Sequence, residues 1–131
     1  MARIVTAVFV GLIALAVGVW GSRLAIAQSA TVPLMEPATL HGLMAAGVHL
    51  KIVDVRQPEE FNQGHIQGAV LMPLGGLSST YAALPKTGKL VVYCRSGHRS
   101  GQAVQFLLAH GYANAISLNG GFTAWTAAGY H

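Results

Sequence analysis

The chain has one cysteine, Cys94, and only four acidic residues among its 131. A single cysteine excludes an intramolecular disulfide, so packing alone must hold the fold, and the thiol is left for chemistry or for an intermolecular partner. The shortage of acids, rather than a wealth of bases, sets the formal charge of +4 and the isoelectric point near 9.7. No block of like charge, heptad pattern or internal repeat is visible. Six histidines invite a metal reading, but no two stand four apart in an H-x-x-x-H pair, and one cysteine with four acids supplies few other ligands. A metal site is therefore not expected.

The apolar excess is concentrated at the N-terminus. Met1–Arg3 is a short basic start, Ile4–Trp20 runs for 17 residues without a charge, and "GSRLAIAQSA" follows. Ala25 and Ala27 stand at the minus-three and minus-one positions of a small-residue cleavage pattern. Residues 1–27 are therefore expected to be an export signal, and the mature protein to be periplasmic. The alternative is an uncleaved anchor that leaves the domain membrane-bound and facing the periplasm, because a spanning helix needs roughly 20 apolar residues. No cysteine for lipidation and no twin arginine lies near the cut. Without residues 1–27 the chain keeps six cationic against four acidic side chains, too weak a balance for a nucleic-acid footprint. Residues 28–35 are expected to be a linker, and 36–131 one domain that functions as a monomer.

In that domain apolar runs alternate with helical stretches. Pro37 opens a helix to about Ala46 that Gly47 stops. "HLKIVDV" (49–55), "GAVLMPL" (68–74), "KLVVYC" (89–94) and "NAISL" (114–118) are expected strands. "PEEFNQG" is a short helical turn, "GGLSSTYAAL" a loop with a short helix, and 120–128 a last short helix. Ser100–His110 is a longer helix with Ala103, Val104, Leu107 and Leu108 on one face and Gly111 past its end. Continuous apolar strands between helices predict an α/β domain with a mainly parallel sheet covered on both faces. Ligands of such sheets bind beyond the carboxyl ends of the strands. Cys94 lies at one such end, and Asp54 and Arg56 lie at another.

Cys94 is followed by "RSGHRS", poor core material but good company for an anion. Gly97 permits a tight turn, and a loop wrapped in front of a helix N-terminus aims several N–H groups at one point. Arg95 and Arg99 add full charges. Such surroundings lower a thiol's pKa from about 8.5 into the range of roughly 3.5 to 7.5, which makes Cys94 a candidate thiolate.

This segment resembles the active-site loop of the rhodanese sulfurtransferase family. "IVDVRQPEEFNQGHIQGAVLMPL" (52–74) and "NGGFTAWTAAGY" (119–130) resemble two further motifs of the family, in the family's order. With its export signal the chain is similar to the single-domain periplasmic rhodaneses. The resemblance implies a rhodanese-like three-layer sandwich, with four to five mainly parallel strands and helices on both faces. It implies that Cys94 takes a sulfane sulfur from a small donor such as thiosulfate, holds it as a persulfide, and passes it to cyanide or a thiol, with no metal or organic cofactor. Arg95, Ser96, Gly97, His98, Arg99 and Ser100 would bind the substrate. From Cys94 to Arg99 the loop has six residues, the length that accompanies sulfur transfer in this family. Related phosphatases and arsenate reductases carry a seven-residue C-x5-R loop, and here the seventh position is Ser100. A non-catalytic sulfur- or anion-binding module is the other alternative.

The remaining polar residues have structural explanations. Asp54 is expected to accept backbone N–H bonds at its strand end, and Arg56 to pair with Glu59 or Glu60, with a supporting role at the site as the alternative. His65 reads as a turn histidine with a satisfied ring. His98, inside the loop, either donates to an anionic donor or faces water. Phe122 and Trp125 are expected to pack, with a substrate wall as the alternative. Gly75, Gly76, Ser78 and Ser79 lack phosphate-loop spacing, because no lysine follows in place.

Overall fold

Each apolar run becomes a strand of one sheet whose two faces are read off by alternation. The computed structural model describes residues 31–131. The expected signal segment therefore lies outside the described residues, and among those described no helix is long and apolar enough to cross a membrane. The strands are β1 (Leu34–Met35), β2 (Leu50–Asp54), β3 (Val70–Leu71), β4 (Lys89–Tyr93) and β5 (Ala115–Leu118). All pair in parallel, in the order β1-β5-β4-β2-β3. The helices are α1 (Pro37–Ala45), α2 (Pro58–Gln63), α3 (Leu77–Thr80), α4 (His98–Ala109) and α5 (Gly121–Ala127), with 3-10 turns at Leu74–Gly76 and Tyr81–Ala83.

In β4, Leu90, Val92 and then Cys94 turn to one face, while Val91 and Tyr93 turn to the other. The first face packs on Ala103, Val104 and Leu107 of α4 and on Leu77 and Leu84. The second packs on Leu40 of α1, Ile66 and Trp125 of α5. Helices thus cover both faces, and burying each Val or Leu side chain contributes about 1.5–3 kcal/mol. The three layers and the five-stranded sheet agree with the expected fold.

The differences lie at the edges. Leu34–Met35 falls inside the stretch expected to be a linker, yet it forms β1: Ser117 N–H donates to Pro33 O and Asn119 N–H to Met35 O. Two residues against an otherwise open sheet edge leave too little pattern to read. The run 68–74 supplies only the two residues of β3, because the chain turns at Met72–Pro73 into the 3-10 turn. Helix α4 starts at His98 rather than Ser100, since Gly97 adopts φ 114° and serves as its N-cap. Its other end is as expected: Gly111, at φ 91°, follows the last turn, and Tyr112 N–H donates back to Leu107 O at 2.9 Å.

Candidate active site

Strand β4 sits mid-sheet and delivers Cys94 to the carboxyl end of the sheet, where Arg95–Gly97 turn directly into α4. Cys94 is 1% exposed, whereas Arg95, Ser96 and His98 around it are exposed. Gly97 N–H donates to Cys94 Sγ at 3.1 Å. Because α4 begins early, Ser100 lies inside its first turn and is no cap. Its Oγ stands 3.6 Å from Sγ, 3.2 Å from Gly97 O and 2.8 Å from Ser117 Oγ of β5. Burial alone would push the thiol up. Hydrogen bonds from the Ser100 hydroxyl and from the N–H groups of Ser100, Gly97 and Ser96 outweigh it, and the thiol sits below its ordinary value. The cradle expected from the loop is present.

Helix α5 closes the cradle from the far side. Phe122 N–H donates to Cys94 O at 2.8 Å and Thr123 N–H to Arg95 O at 3.0 Å. Gly121 makes that approach possible. At φ 60° it takes a left-handed conformation, and a Cβ there would fall 2.5 Å from Cys94 O and 2.6 Å from Arg95 O. The "NGG" of the C-terminal motif therefore clamps the loop by backbone contact.

The arginines are deployed differently from expectation. Arg56 pairs with neither Glu59 nor Glu60. Its Nε and Nη2 grip the buried Asp54 carboxylate at 2.7–3.0 Å, Nη2 also donates to Gly64 O at 2.7 Å, and Arg56 N–H donates to Asp54 Oδ1 at 2.9 Å. Burial works against the guanidinium's charge, but the bonds and charge of Asp54 prevail and raise its pKa. Its Cζ lies 4.6 Å from the Phe122 ring centroid and 5.5 Å from that of Tyr93, so this pair stands on the face opposite Cys94. Arg99 is not a free cation over the thiol. It binds Glu60 of α2 in bidentate fashion at 2.8 and 3.0 Å. Arg95 makes no side-chain hydrogen bond or ion pair among the described residues. It opens instead onto a cavity of about 500 Å³ shared with Arg56, Glu60, Phe122, Thr123 and Thr126. Phe122 forms a wall of that cavity as well as packing on the sheet.

The other polar residues fall as follows. His98 is the exposed first residue of α4 and makes no side-chain hydrogen bond among the described residues. His65 is satisfied within its turn, its Nδ1 2.9 Å from Phe61 O and its ring stacked on Phe61 at 3.7 Å. Ser117 is the site residue that the sequence reading missed. The available signal was a hydroxyl in "NAISL" at the alternate position that faces α4.

The Arg99–Glu60 pair carries a pH signature. Its bonds to Arg99, the largest cause, hold the Glu60 carboxyl down to about 2 from an ordinary 4.5. A depressed carboxyl contributes stability that is full above the ordinary value and is lost as pH falls through the folded one. Both side chains are about 30% exposed, so the pair contributes about 0.5–1 kcal/mol after solvent screening. Urea midpoints of wild type and Glu60→Gln are expected to differ at pH 6 and to converge between about pH 5 and pH 2. A gap that persists undiminished at low pH would show that the charge is not what stabilises.

The family model described as "Rhodanese-like domain" matches residues 36–128. Similar proteins include the thiosulfate sulfurtransferase GlpE of Stutzerimonas stutzeri, 36% identical over 91 residues that cover 70% of this chain and 82% of that one. The probable adenylyltransferase/sulfurtransferase MoeZ of Mycobacterium tuberculosis is 36% identical over 101 residues, 76% of this chain but only 26% of that longer protein. Among solved structures, a rhodanese-related protein from Thermoplasma volcanium superposes with a TM-score of 0.69 at 30% identity, over 76% of this chain and 95% of that one. The sheet, the cysteine cradle and the three ordered motifs thus have one common account: this chain belongs to the rhodanese-like domain family.

Proposed function

We propose that the protein is a sulfurtransferase that carries a sulfane sulfur on Cys94. The observation that carries this reading is the cradle itself, an unpaired thiol below its ordinary pKa at the mouth of a six-residue loop. The Cys94 thiolate attacks the outer sulfur of thiosulfate or a similar donor. A new S–S bond forms, the donor's S–S bond breaks, and sulfite leaves with the electron pair. Cyanide or a thiol then attacks the outer sulfur of the Cys94 persulfide, takes it as thiocyanate or a new persulfide, and returns the thiolate. The N–H groups that favour the thiolate also favour the anionic persulfide, and Arg95, exposed next to Cys94 and without a side-chain partner among the described residues, draws the anionic donor to the loop. Export to the periplasm belongs to the same reading and rests on the N-terminal sequence pattern.

Mass spectrometry after incubation with thiosulfate is expected to show one added sulfur atom on Cys94, removed by cyanide with release of thiocyanate. A chain that gains no sulfur and yields no thiocyanate would instead be a binding module.

A further inference from the structure

A buried serine in an apolar strand calls for an account. Strand β5 reads Ala-Ile-Ser-Leu, and Ser117 within it is 1% exposed. Removing a hydroxyl from water without a partner is costly, and a valine would suit the strand better. Ser117 Oγ has one hydrogen-bond partner among the described residues, Ser100 Oγ at 2.8 Å. Ser100, fully buried itself, touches Gly97 O and Cys94 Sγ as well.

A hydroxyl carries one proton, and counting protons orders these contacts. Ser117 has only Ser100 to donate to, so its proton points there and occupies a lone pair of Ser100 Oγ. Ser100 then has one proton to give, either to Gly97 O or to Cys94 Sγ. When Cys94 is a thiol its S–H points at Ser100 Oγ, and the Ser100 proton goes to Gly97 O. When Cys94 is a thiolate the Ser100 proton turns to sulfur. If Ser117 is replaced by a residue without a hydroxyl, Ser100 keeps its proton but loses the bond that orients it.

The geometry points to Ser117 as a positioning residue that holds the Ser100 hydroxyl ready to donate to the ionised sulfur of Cys94. The inference deepens the proposed function, on which it rests, by extending the nucleophile's support one residue beyond the loop into the neighbouring strand. Because α4 starts before Ser100, that side chain sits in the first turn and touches both β5 and the sulfur.

The test reads the thiol directly, as the pH dependence of iodoacetamide alkylation of the intact protein. Ser117→Ala is expected to raise the inflection by about half a unit to one unit, so that roughly three- to tenfold less thiolate is present on the rising limb. Ser100→Ala is expected to raise it further, and the double variant no further than Ser100→Ala alone, since Ser117 acts only through Ser100. Ser117→Thr, which keeps the hydroxyl, is expected to retain the wild-type inflection, and it carries the test with Ser100→Ala if Ser117→Ala does not fold. A folded Ser117→Ala with the wild-type inflection overturns the inference. So does a Thr variant that moves as far as Ala, or shifts that simply add in the double variant. No sulfur donor or acceptor enters the assay. An unmoved inflection with intact turnover therefore removes the relay alone, and a moved inflection without turnover removes sulfur transfer alone.

Discussion

Cys94→Ser is expected to lose thiosulfate–cyanide turnover by roughly a thousandfold or more, with the fold intact. The substitution exchanges sulfur for oxygen in a cradle of hydrogen-bond donors. A serine at 94 still accepts from Gly97 N–H and meets Ser100, so the melting temperature should stay within a few degrees. A serine hydroxyl, however, remains protonated where the thiol ionises, because this site moves the thiol by hydrogen bonds and, among the described residues, its hydrogen-bond partners include no base. Oxygen also forms no stable analogue of a persulfide. Both half-reactions fail together, which distinguishes loss of the nucleophile from loss of donor binding: Arg95→Ala should raise KM for thiosulfate more than it lowers kcat. Single-turnover measurement of sulfite release and multiple-turnover thiocyanate formation would check this. Substantial sulfite release from the Ser variant would mean that another group carries the sulfur.

The loop was legible because its chemistry is local. Cys94, Gly97 and the helix start lie within seven residues, and continuous apolar strands announce a sheet covered on both sides. What was less legible depends on distance along the chain. The partner of Arg99 is 39 residues away, and no pattern in "CRSGHRS" distinguishes an arginine that faces substrate from one that grips Glu60. Strand β1 is too short to carry alternation and exists because β5 offers it an open edge. Ser117 could be read as polar in an apolar strand, but its role required knowing that β5 lies beside β4 and under α4. Gly121 shows the reverse case. The glycine pair was visible, whereas the backbone contact that demands it belongs to the packing of α5 on the Cys94 loop.

Arg56→Ala is expected to destabilise the domain by about 3–5 kcal/mol, a fall in melting temperature of roughly 15–30 °C for a domain of about 100 residues. The reason is what it leaves behind. Asp54 is fully buried at the end of β2, and its carboxylate accepts from Arg56 N–H and the Arg56 guanidinium, with the Tyr93 hydroxyl as its other polar neighbour. Truncation strands that carboxylate in the interior without its cation, frees Gly64 O, and empties the space beside the stacked Tyr93 and Phe122 rings that the guanidinium occupies. The pair itself need not be net stabilising, because desolvating two charges offsets much of their attraction. Removing both charges while keeping the volume, as in Asp54→Asn with Arg56→Met, should therefore recover a good part of the loss. Arg56 also lines the cavity beside Arg95, so its two possible roles separate cleanly. If it is structural, thermal melting falls steeply and turnover at low temperature, per folded molecule, stays within a few-fold of wild type. Unchanged melting with lost turnover would instead place Arg56 on the substrate, and Asp54 would then be the residue that aims it.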